Sequence, residues 1–307
     1  MKQSTSHILM VRPARFNYNA QTAESNAFQN KVDLSAKLVH DKAVLEFDHF
    51  AEQLKARGVN LTIVEDTLEP TKPDAVFPNN WASFHADGTV ILYPVAAPNR
   101  RLEKRPEILE QIKEDFVVSK VIDLSKYENE EKYLEGTGSV VYDHINKIAY
   151  AGLSLRTHKE VVHALCKIID YTPVIFTATD EFGQEIYHTN VMMCVSEHFA
   201  VVCLQSIKNK EERDTVIKSL EQSGHEIIEV SLEQVVHFAG NMLSVLTQDG
   251  SELLVMSESA FNALSDTQRQ TLENFCEPFP LPINTIETVG GGSARCMMAE
   301  IFLTESD

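Results

Sequence analysis

Five short segments of this 307-residue chain share one pattern, a turn of small or amide side chains that runs directly into an apolar strand. The turns recur every 51 to 58 residues, and Gly or Asn occupies the equivalent position in four of them. These residue types tolerate the left-handed backbone that tight turns require. Five matches at a nearly constant period indicate an internal repeat. The segments are 76–84, 134–142, 187–195, 238–246 and 292–301, aligned on Asn80, Gly138, Asn190, Asn241 and Arg295.

The stretches between the turns also repeat, with two strands, a helix and a third strand in each. Apolar residues spaced three and four apart predict helices at about 158–169, 210–222 and 259–275, and a strand follows each turn, for example over 191–195. The repeat therefore predicts an α/β fold, a five-bladed pseudo-fivefold propeller of ββαβ units in a single domain, 1–307. Such a closed ring removes free sheet edges and gathers the turns on one face. The alternative is an ordinary α/β domain whose short strands resemble one another by chance.

The charge balance excludes two classes of partner. Lys and Arg number 27 against 45 Asp and Glu, which gives a formal net charge of −18 with His neutral. Nucleic acids and anionic membranes need a positive surface, so a small molecule is the expected partner. The chain has no run of 18 apolar residues, and residues 1–7 lack the apolar region of a signal peptide.

The five cysteines indicate a reducing compartment. Their number is odd and none forms a C-x-x-C pair, which disfavours both a disulfide scaffold and a thiolate zinc site. We therefore expect a cytoplasmic protein without a metal centre. Four cysteines are expected to be structural because they lie in apolar strands or on helices: Cys166, Cys194, Cys203 and Cys276. Cys296 remains as the candidate for chemistry.

If the turns converge, they bring together a thiol, an imidazole and a carboxylate from three repeats. Cys296 offers a nucleophile, His188 can move protons near neutral pH, and Glu135 can orient the imidazole or bind a substrate N–H group. This set is the inventory of covalent catalysis. The glycines at 290–292 leave room before Cys296 but do not form a dinucleotide-binding motif. The same turns carry the amides Asn79, Asn80, Asn190 and Asn241.

These motifs resemble the pentein superfamily of guanidine-modifying enzymes, which includes arginine deiminases, amidinotransferases and dimethylarginine dimethylaminohydrolases. Segments 8–16 and 78–81 are similar to the bacterial branch of citrulline-utilisation hydrolases, and segments 134–138 and 152–157 match the wider superfamily. The resemblance covers nearly the whole chain. It implies the pentein fold and a reaction that uses no cofactor.

The resemblance also implies roles for individual residues. Cys296 matches the nucleophile of the family, His188 matches the general acid and base, and Glu135 matches the carboxylate that contacts the guanidine and supports the histidine. Arg156 matches an arginine that holds the α-carboxylate of the substrate, and Asp74 matches another polar contact to it.

A second contact to the carboxylate is expected from one of three neighbouring arginines, Arg100, Arg101 and Arg105. We favour Arg105 because the Pro-Glu-Ile that follows it resembles the start of a helix in the family.

Asparagines replace the acidic residues that grip the substrate in relatives. Asn80 and Asn190 stand where the deiminases have aspartates, and the pair Asn79-Asn80 stands where the dimethylarginine hydrolases have Glu-Asp. All three asparagines are expected to contact substrate. A buried cation without a counter-charge is costly, whereas an amide offers a donor and an acceptor to a neutral ureido group. The replacement favours citrulline, although Glu135 and Asp74 can still neutralise a guanidinium.

The expected function is that of a cysteine-dependent hydrolase. It would cleave a C–N bond in the guanidino or ureido group of citrulline, arginine or a methylarginine through a covalent S–carbon adduct. An amidinotransferase, which passes the group to a second amine, is the alternative because the acceptor depends on solvent access to the adduct. A non-catalytic binding protein of the same fold and an unrelated cysteine hydrolase without the repeat are further alternatives. A homodimer is the expected assembly.

Overall fold

Five small sheets of three strands each are present in the computed structural model, which describes residues 2–306. The strands are β1 (His7–Arg12), β2 (Asn60–Glu65), β3 (Ala82–Phe84), β4 (Thr89–Leu92), β5 (Lys120–Asp123), β6 (Val141–Asp143), β7 (Ile148–Leu153), β8 (Thr172–Thr177), β9 (Met193–Val195), β10 (Phe199–Val202), β11 (Glu226–Glu229), β12 (Leu243–Leu246), β13 (Glu252–Ser257), β14 (Glu277–Leu281) and β15 (Ala299–Glu300).

Helices connect these strands. The α-helices are α1 (Ala36–Ala56), α2 (Pro98–Arg101), α3 (Pro106–Asp115), α4 (Gly136–Ser139), α5 (Lys159–Ile169), α6 (Thr189–Met192), α7 (Lys210–Gln222), α8 (Leu232–Val236), α9 (Glu258–Ala263) and α10 (Asp266–Glu273). Short 3₁₀ turns cover Ala23–Ser25, Pro78–Asn80, Ser125–Glu130, Leu204–Ser206 and Ala294–Met297, and a π-helical turn covers Ile286–Gly290.

The five sheets share one strand order. In each sheet the middle strand pairs antiparallel with one neighbour and parallel with the strand that follows the helix. The orders are β3-β4-β5, β6-β7-β8, β9-β10-β11, β12-β13-β14 and β15-β1-β2. The last sheet joins distant parts of the chain, because Leu9 pairs with Ala299 on one side and with Thr62 on the other. The prediction of an α/β chain with five small sheets is confirmed.

Two of the three predicted helices agree with α5 and α7 to within one residue. The prediction of one helix over 259–275 is wrong, because two helices, α9 and α10, occupy this stretch. Ser265 lies between them in an extended conformation. Its side chain accepts a hydrogen bond from Gln268 N, and the Gln268 side chain accepts one from Ser265 N. This capping box begins a new helix where the sequence periodicity suggested continuity.

The apolar core consists of four clusters of buried side chains. In one of them, Val161 and Leu165 of α5 share a cluster with Ala149 and Ala151 of β7. Their spacing of four residues places both helix side chains on the face toward the sheet. Full burial of such aliphatic side chains stabilises the fold by about 1.5–3 kcal/mol each. None of the helices within residues 2–306 is both long enough and apolar enough to cross a membrane.

The turns that open the repeats are bonded to one another. Each bond joins one turn to the next: Thr137 Oγ1 to Asn79 O at 3.3 Å, Thr189 Oγ1 to Ser139 O at 2.6 Å, Asn241 Nδ2 to Asn190 O at 2.9 Å, and Arg295 N to Asn241 Oδ1 at 3.1 Å. The turns Ala294–Met297 and Pro78–Asn80 are also in contact. The strand predicted over 191–195 begins later, at Met193, because α6 occupies the start of that segment. These bonds set the side chains of the turns beside one another.

Gly136 is required at one of these junctions. Its φ is +50°, and a Cβ added there would lie 2.1 Å from Asn79 O. We expect Gly136→Ala to lower the free energy of unfolding by about 3 kcal/mol or more, because left-handed strain adds to a backbone overlap. Gly224→Ala is the matched control, since Gly224 has φ +83° but faces open space and should cost only about 1–2 kcal/mol. Urea unfolding of both variants measures the difference, and equal costs would show that the junction is not tightly packed.

Candidate active site

Cys296 lies on the turn Ala294–Met297, shortly after the three glycines at 290–292, and its side chain is buried. Two amides donate to its sulfur. Asn241 Nδ2 lies 3.4 Å from Sγ, and Asn190 Nδ2 lies 3.6 Å from it. Gly292 packs closely between Phe77 and Cys296 and leaves no room for a side chain. A Cβ at this position would lie 3.0 Å from the Phe77 ring and 3.4 Å from Cys296 Cβ.

His188 and Glu135 form a buried hydrogen-bonded pair. His188 Nε2 lies 2.9 Å from Glu135 Oε2, and Glu135 Oε1 accepts a bond from Ala96 N at 3.0 Å. The two residues immediately precede α6 and α4, so the opening turns of their repeats place them. Burial lowers the pKa of His188 to about 4, although the Glu135 carboxylate raises it. The imidazole is therefore neutral at pH 7. With Nε2–H donated to the carboxylate, Nδ1 is free to accept a proton.

Arg156 lies on the other side of this carboxylate. Its Nη1 is 3.5 Å from Glu135 Oε2, and its guanidinium stacks on Tyr187 at 5.0 Å from the ring centre. Burial raises the pKa of Glu135, but the Arg156 charge and the His188 hydrogen bond outweigh it, and the pKa lies well below its usual range. Arg156 also donates to Thr22 O at 3.0 Å and to Ser25 Oγ. The Arg156 guanidinium is thus hydrogen-bonded to the segment that contains Thr22 and Ser25, and its contact to a substrate carboxylate stays a prediction.

The preference for Arg105 among the three neighbouring arginines is wrong. Arg105 Nη1 lies 3.5 Å from the buried Asp66 Oδ1 and donates to Glu65 O at 2.9 Å, and Arg105 does not line the cavity beside Cys296. The chain turns between α2 and α3, and Arg105 stands directly before the first residue of α3. At this position its side chain points toward Asp66. Arg101 donates to Val95 O and also lies outside the cavity lining.

Arg100 is the arginine that reaches the site. Its guanidinium is buried and forms a forked pair with Glu103, with both N–O distances at 2.9 Å. Its Nη1 donates to Asn80 Oδ1 at 2.8 Å and lies 3.8 Å from Glu135 Oε2. Its Nε lies 3.6 Å from Asp74 Oδ2. Burial lowers the pKa of Arg100, but these carboxylates outweigh it and raise it above its usual range.

Among the predicted polar contacts, Asp74 and Asn80 line the cavity beside Cys296 and Asn190 contacts the Cys296 sulfur, whereas Asn79 does not line the cavity. Asn80 uses both ends of its amide within the protein, because Nδ2 donates to Asn79 Oδ1 at 2.9 Å while Oδ1 accepts from Arg100. Three buried atoms of the predicted set have no hydrogen-bond partner in the described chain: Asp74 Oδ1, Asn79 Nδ2 and Asn190 Oδ1. Unpaired buried polar atoms are costly, and Asp74 Oδ1 is the one that belongs to a residue of the cavity lining, where a bound substrate would satisfy it.

The cavity next to Cys296 is too small to hold an amino acid. Its volume is about 10 Å³, about the room that one water needs. Asp74, Arg100, Arg156 and His188 share its lining with Cys296. Segment 19–30 covers it, for example through Asn26 Nδ2, which donates to Gly291 O at 3.1 Å. Entry of an amino acid therefore requires this segment to move.

A larger cavity of about 580 Å³ is lined in part by Ala27, Phe28 and Asn30 of the same segment. Its lining is mainly apolar and contains no cysteine, lysine or arginine, so we place the chemistry at the smaller cavity. Within residues 2–306, no cluster of three or more His, Cys, Asp or Glu side chains is arranged to hold a metal ion.

Several residues at the site were not assigned to it from the sequence. Asn241 contacts Cys296 Sγ directly, although the sequence identifies it only as an amide of a repeated turn. Tyr187 precedes His188, and its Oη donates to Gly291 O at 2.5 Å. The covering segment lies outside the repeated pattern, so the repeat carried no signal for it. For Asn241 the repeat was a sufficient signal, because it is equivalent to Asn190.

Comparison with sequence families gives a match over most of the chain. Residues 12–303 match the sequence family described as N,N dimethylarginine dimethylhydrolase, eukaryotic. The comparison with curated protein sequences gives no match.

Solved structures with the same fold include ArgZ, an arginine dihydrolase from the ornithine-ammonia cycle in cyanobacteria. It is 19% identical with a TM-score of 0.75, and the alignment covers 96% of this chain and 40% of ArgZ. The N-terminal domain of ArgZ, as a cysteine-to-serine mutant bound to substrate, is 19% identical with a TM-score of 0.74 and coverage of 97% and 99%. A dimethylarginine dimethylaminohydrolase with an S-methyl-L-thiocitrulline adduct is 16% identical with a TM-score of 0.65, at 96% and 99% coverage. This chain thus spans about 40% of the full length of ArgZ.

Proposed function

We propose that this chain is a cysteine-dependent hydrolase. It belongs to the family described as N,N dimethylarginine dimethylhydrolase, eukaryotic, and so to the pentein superfamily. The reaction is cleavage of a C–N bond in the guanidino or ureido group of an arginine-like amino acid. One observation carries the proposal: a buried thiol and a neutral imidazole line a single cavity, and an ionised carboxylate holds the imidazole.

The first half of the reaction forms a covalent adduct. Cys296 Sγ attacks the central carbon of the guanidino or ureido group, and the thiol proton passes to Nδ1 of the neutral His188. The resulting imidazolium is stabilised by the Glu135 carboxylate on Nε2. His188 then gives the proton to the departing amine as the C–N bond breaks. The product of this step is an S–carbon adduct and a free amine, with His188 neutral again.

The second half hydrolyses the adduct. Water enters beside the sulfur and loses a proton to His188 as its oxygen bonds to the adduct carbon. The C–S bond then breaks, and the proton returns from His188 to the sulfur. Two moderate barriers thus replace one high barrier, and a single histidine serves both halves.

The charges around the cavity support a cationic substrate. Three carboxyl groups, Asp74, Glu103 and Glu135, lie near two guanidinium groups, Arg100 and Arg156, so the acidic groups outnumber the cations by one. Burial raises the pKa of Glu103 to about 7. Asp74 is the one with an unpaired oxygen, and burial raises its pKa. A substrate guanidinium would supply both the missing charge and the missing N–H donors.

A neutral ureido group is the second candidate. Its carbonyl oxygen needs N–H donors, and Asn79 Nδ2 is a buried donor without a partner in the described chain, although Asn79 does not line the cavity beside Cys296. The amides at 80 and 190 also remove two negative charges relative to a deiminase site. Both polar atoms of the Asn80 side chain, however, already form hydrogen bonds within the protein, Oδ1 with Arg100 and Nδ2 with Asn79.

The arrangement of the whole chain is part of the proposal. We infer that the five sheets are blades of one pseudo-fivefold propeller and form one catalytic domain over 1–307, of which Met1 and Asp307 lie outside the described residues. The common strand order and the bonded turns support this. The five unpaired cysteines support a reducing compartment such as the cytoplasm.

Amine release from a substrate panel tests the function. The panel contains L-arginine, its N-methylated forms, L-citrulline and agmatine, which lacks the α-carboxylate. We expect release from at least one amino acid and much slower release from agmatine. Release only after glycine or ornithine is added would indicate an amidinotransferase. No release under either condition would indicate a binding protein and would overturn the proposal.

A further inference from the structure

We propose that Asn241 is a catalytic residue, which prepares Cys296 for attack by donating an amide N–H to its sulfur. The inference deepens the function proposed above and rests on it for its catalytic meaning. Asn241 lies in the turn that opens the fourth repeat, and its side chain is fully buried. Its Nδ2 is 3.4 Å from Cys296 Sγ.

The orientation of this amide is fixed by the protein. Asn241 Oδ1 accepts a hydrogen bond from Arg295 N at 3.1 Å, and Nδ2 donates one to Asn190 O at 2.9 Å. A flipped amide would place two oxygens against each other at Asn190 and two N–H groups against each other at Arg295. The flip is therefore strongly disfavoured. The unflipped amide presents its second N–H toward the sulfur.

A donor in this place favours the sulfur when it is negative. Hydrogen bonds to a charged acceptor are roughly twice as strong as neutral ones, so the bond strengthens as the thiol proton leaves for His188. The donor is built in before the reaction and needs no rearrangement during it. Asn190 adds a second, longer contact at 3.6 Å.

No lysine or arginine is hydrogen-bonded to this sulfur within the described chain. The neutral thiol can also donate its S–H to Asn241 Oδ1 at 3.7 Å, but this longer contact is lost when the thiol proton leaves, whereas the two amide N–H contacts remain. The titratable groups that share the cavity lining with Cys296 are Asp74, Arg100, Arg156, Tyr187 and His188. None of them is altered in the variants below, so a change in the reactivity of the thiol reports the amide.

The test is alkylation of Cys296 by iodoacetamide at pH 7.5 without substrate, followed by peptide mass spectrometry to separate it from the other four cysteines. We expect Asn241→Ala to slow alkylation of Cys296 at least tenfold. The direction is diagnostic. Because Cys296 is buried, a variant that merely loosens the fold would expose the thiol and speed alkylation.

Gln3→Ala is the matched control. Gln3 is also a buried amide that bridges elements through backbone bonds, to Tyr142 O, Val195 O and His144 N, and it does not contact Cys296. Its alkylation rate should stay within twofold of the wild type. If Asn241→Ala fails to fold, Asn241→Asp keeps an acceptor for Arg295 N while placing an oxygen near the sulfur, and it should also slow the reaction.

Unchanged or faster alkylation in a folded Asn241 variant would overturn the inference. Because this assay uses no substrate, it separates two failures. One outcome is that the wild-type protein turns over no member of the panel while Asn241→Ala still slows alkylation of Cys296. That outcome refutes the proposed function and leaves the role of the amide at the sulfur intact.

Discussion

Cys296→Ser is expected to reduce kcat by at least about 10³-fold, because an alcohol is a far weaker nucleophile than a thiol near neutral pH. Proton transfer to the weakly basic His188 is also much harder from a hydroxyl than from a thiol, because the hydroxyl is the far weaker acid. The substitution changes one atom in a packed site, so substrate binding should persist. Steady-state release of amine and a thermal shift with added L-arginine measure the two properties separately.

Cys276→Ser is the control for this variant. Cys276 is partly exposed and lies between α10 and β14, and its Sγ contacts Leu272 O rather than any residue of the cavity. This variant should retain turnover within about twofold. If Cys296→Ser kept more than a tenth of the wild-type kcat, the covalent mechanism would have to be abandoned.

Glu135→Gln is expected to lower kcat by roughly 10²–10³-fold, since the carboxylate supports the proton transfers of His188. The carboxylate raises the pKa of His188 against the opposing effect of burial. Its loss therefore lowers that pKa below about 4 and makes the imidazolium intermediate harder to form. The fall in kcat should be seen at every pH at which the enzyme is folded, because the neutral resting form is unaffected.

The same change leaves Arg156 and Arg100 without one of their counter-charges. Removal of one partner from a buried ion pair costs about 3–5 kcal/mol, so urea unfolding should show a clear loss of stability. Glu287→Gln is the matched control. Glu287 is also buried, burial raises its pKa to about 7, and its carboxylate bonds Ser293 rather than His188. Activity lost equally in both variants would show that Glu135 acts only through folding.

The sequence predicted the central triad because its members lie on a repeated turn. Cys296, His188 and Glu135 could be placed together once the period was recognised, and the structure binds these turns to one another through backbone oxygens. The same logic pointed to the asparagines of the first and third turns.

Residues outside the repeat were harder to place. The sequence could not show which of three close arginines points inward, because that depends on where α2 ends and α3 begins. Arg100 turns toward Asn80, while Arg105 pairs with Asp66. The closure by segment 19–30 depends on long-range contacts to Arg156 and Gly291, which no local pattern encodes. The break at Ser265 did have a local signal, the spacing of Ser and Gln in a capping box.

The most direct test of the account is to trap the adduct. Wild-type protein is mixed with L-arginine or L-citrulline, quenched in acid within the first turnovers, and digested for mass spectrometry. We predict an added mass on the peptide that contains Cys296, absent in Cys296→Ser, and its size shows which amine has left. Consumption of substrate by wild type and Cys296→Ser at equal rates, with no modified peptide in either, would contradict the account.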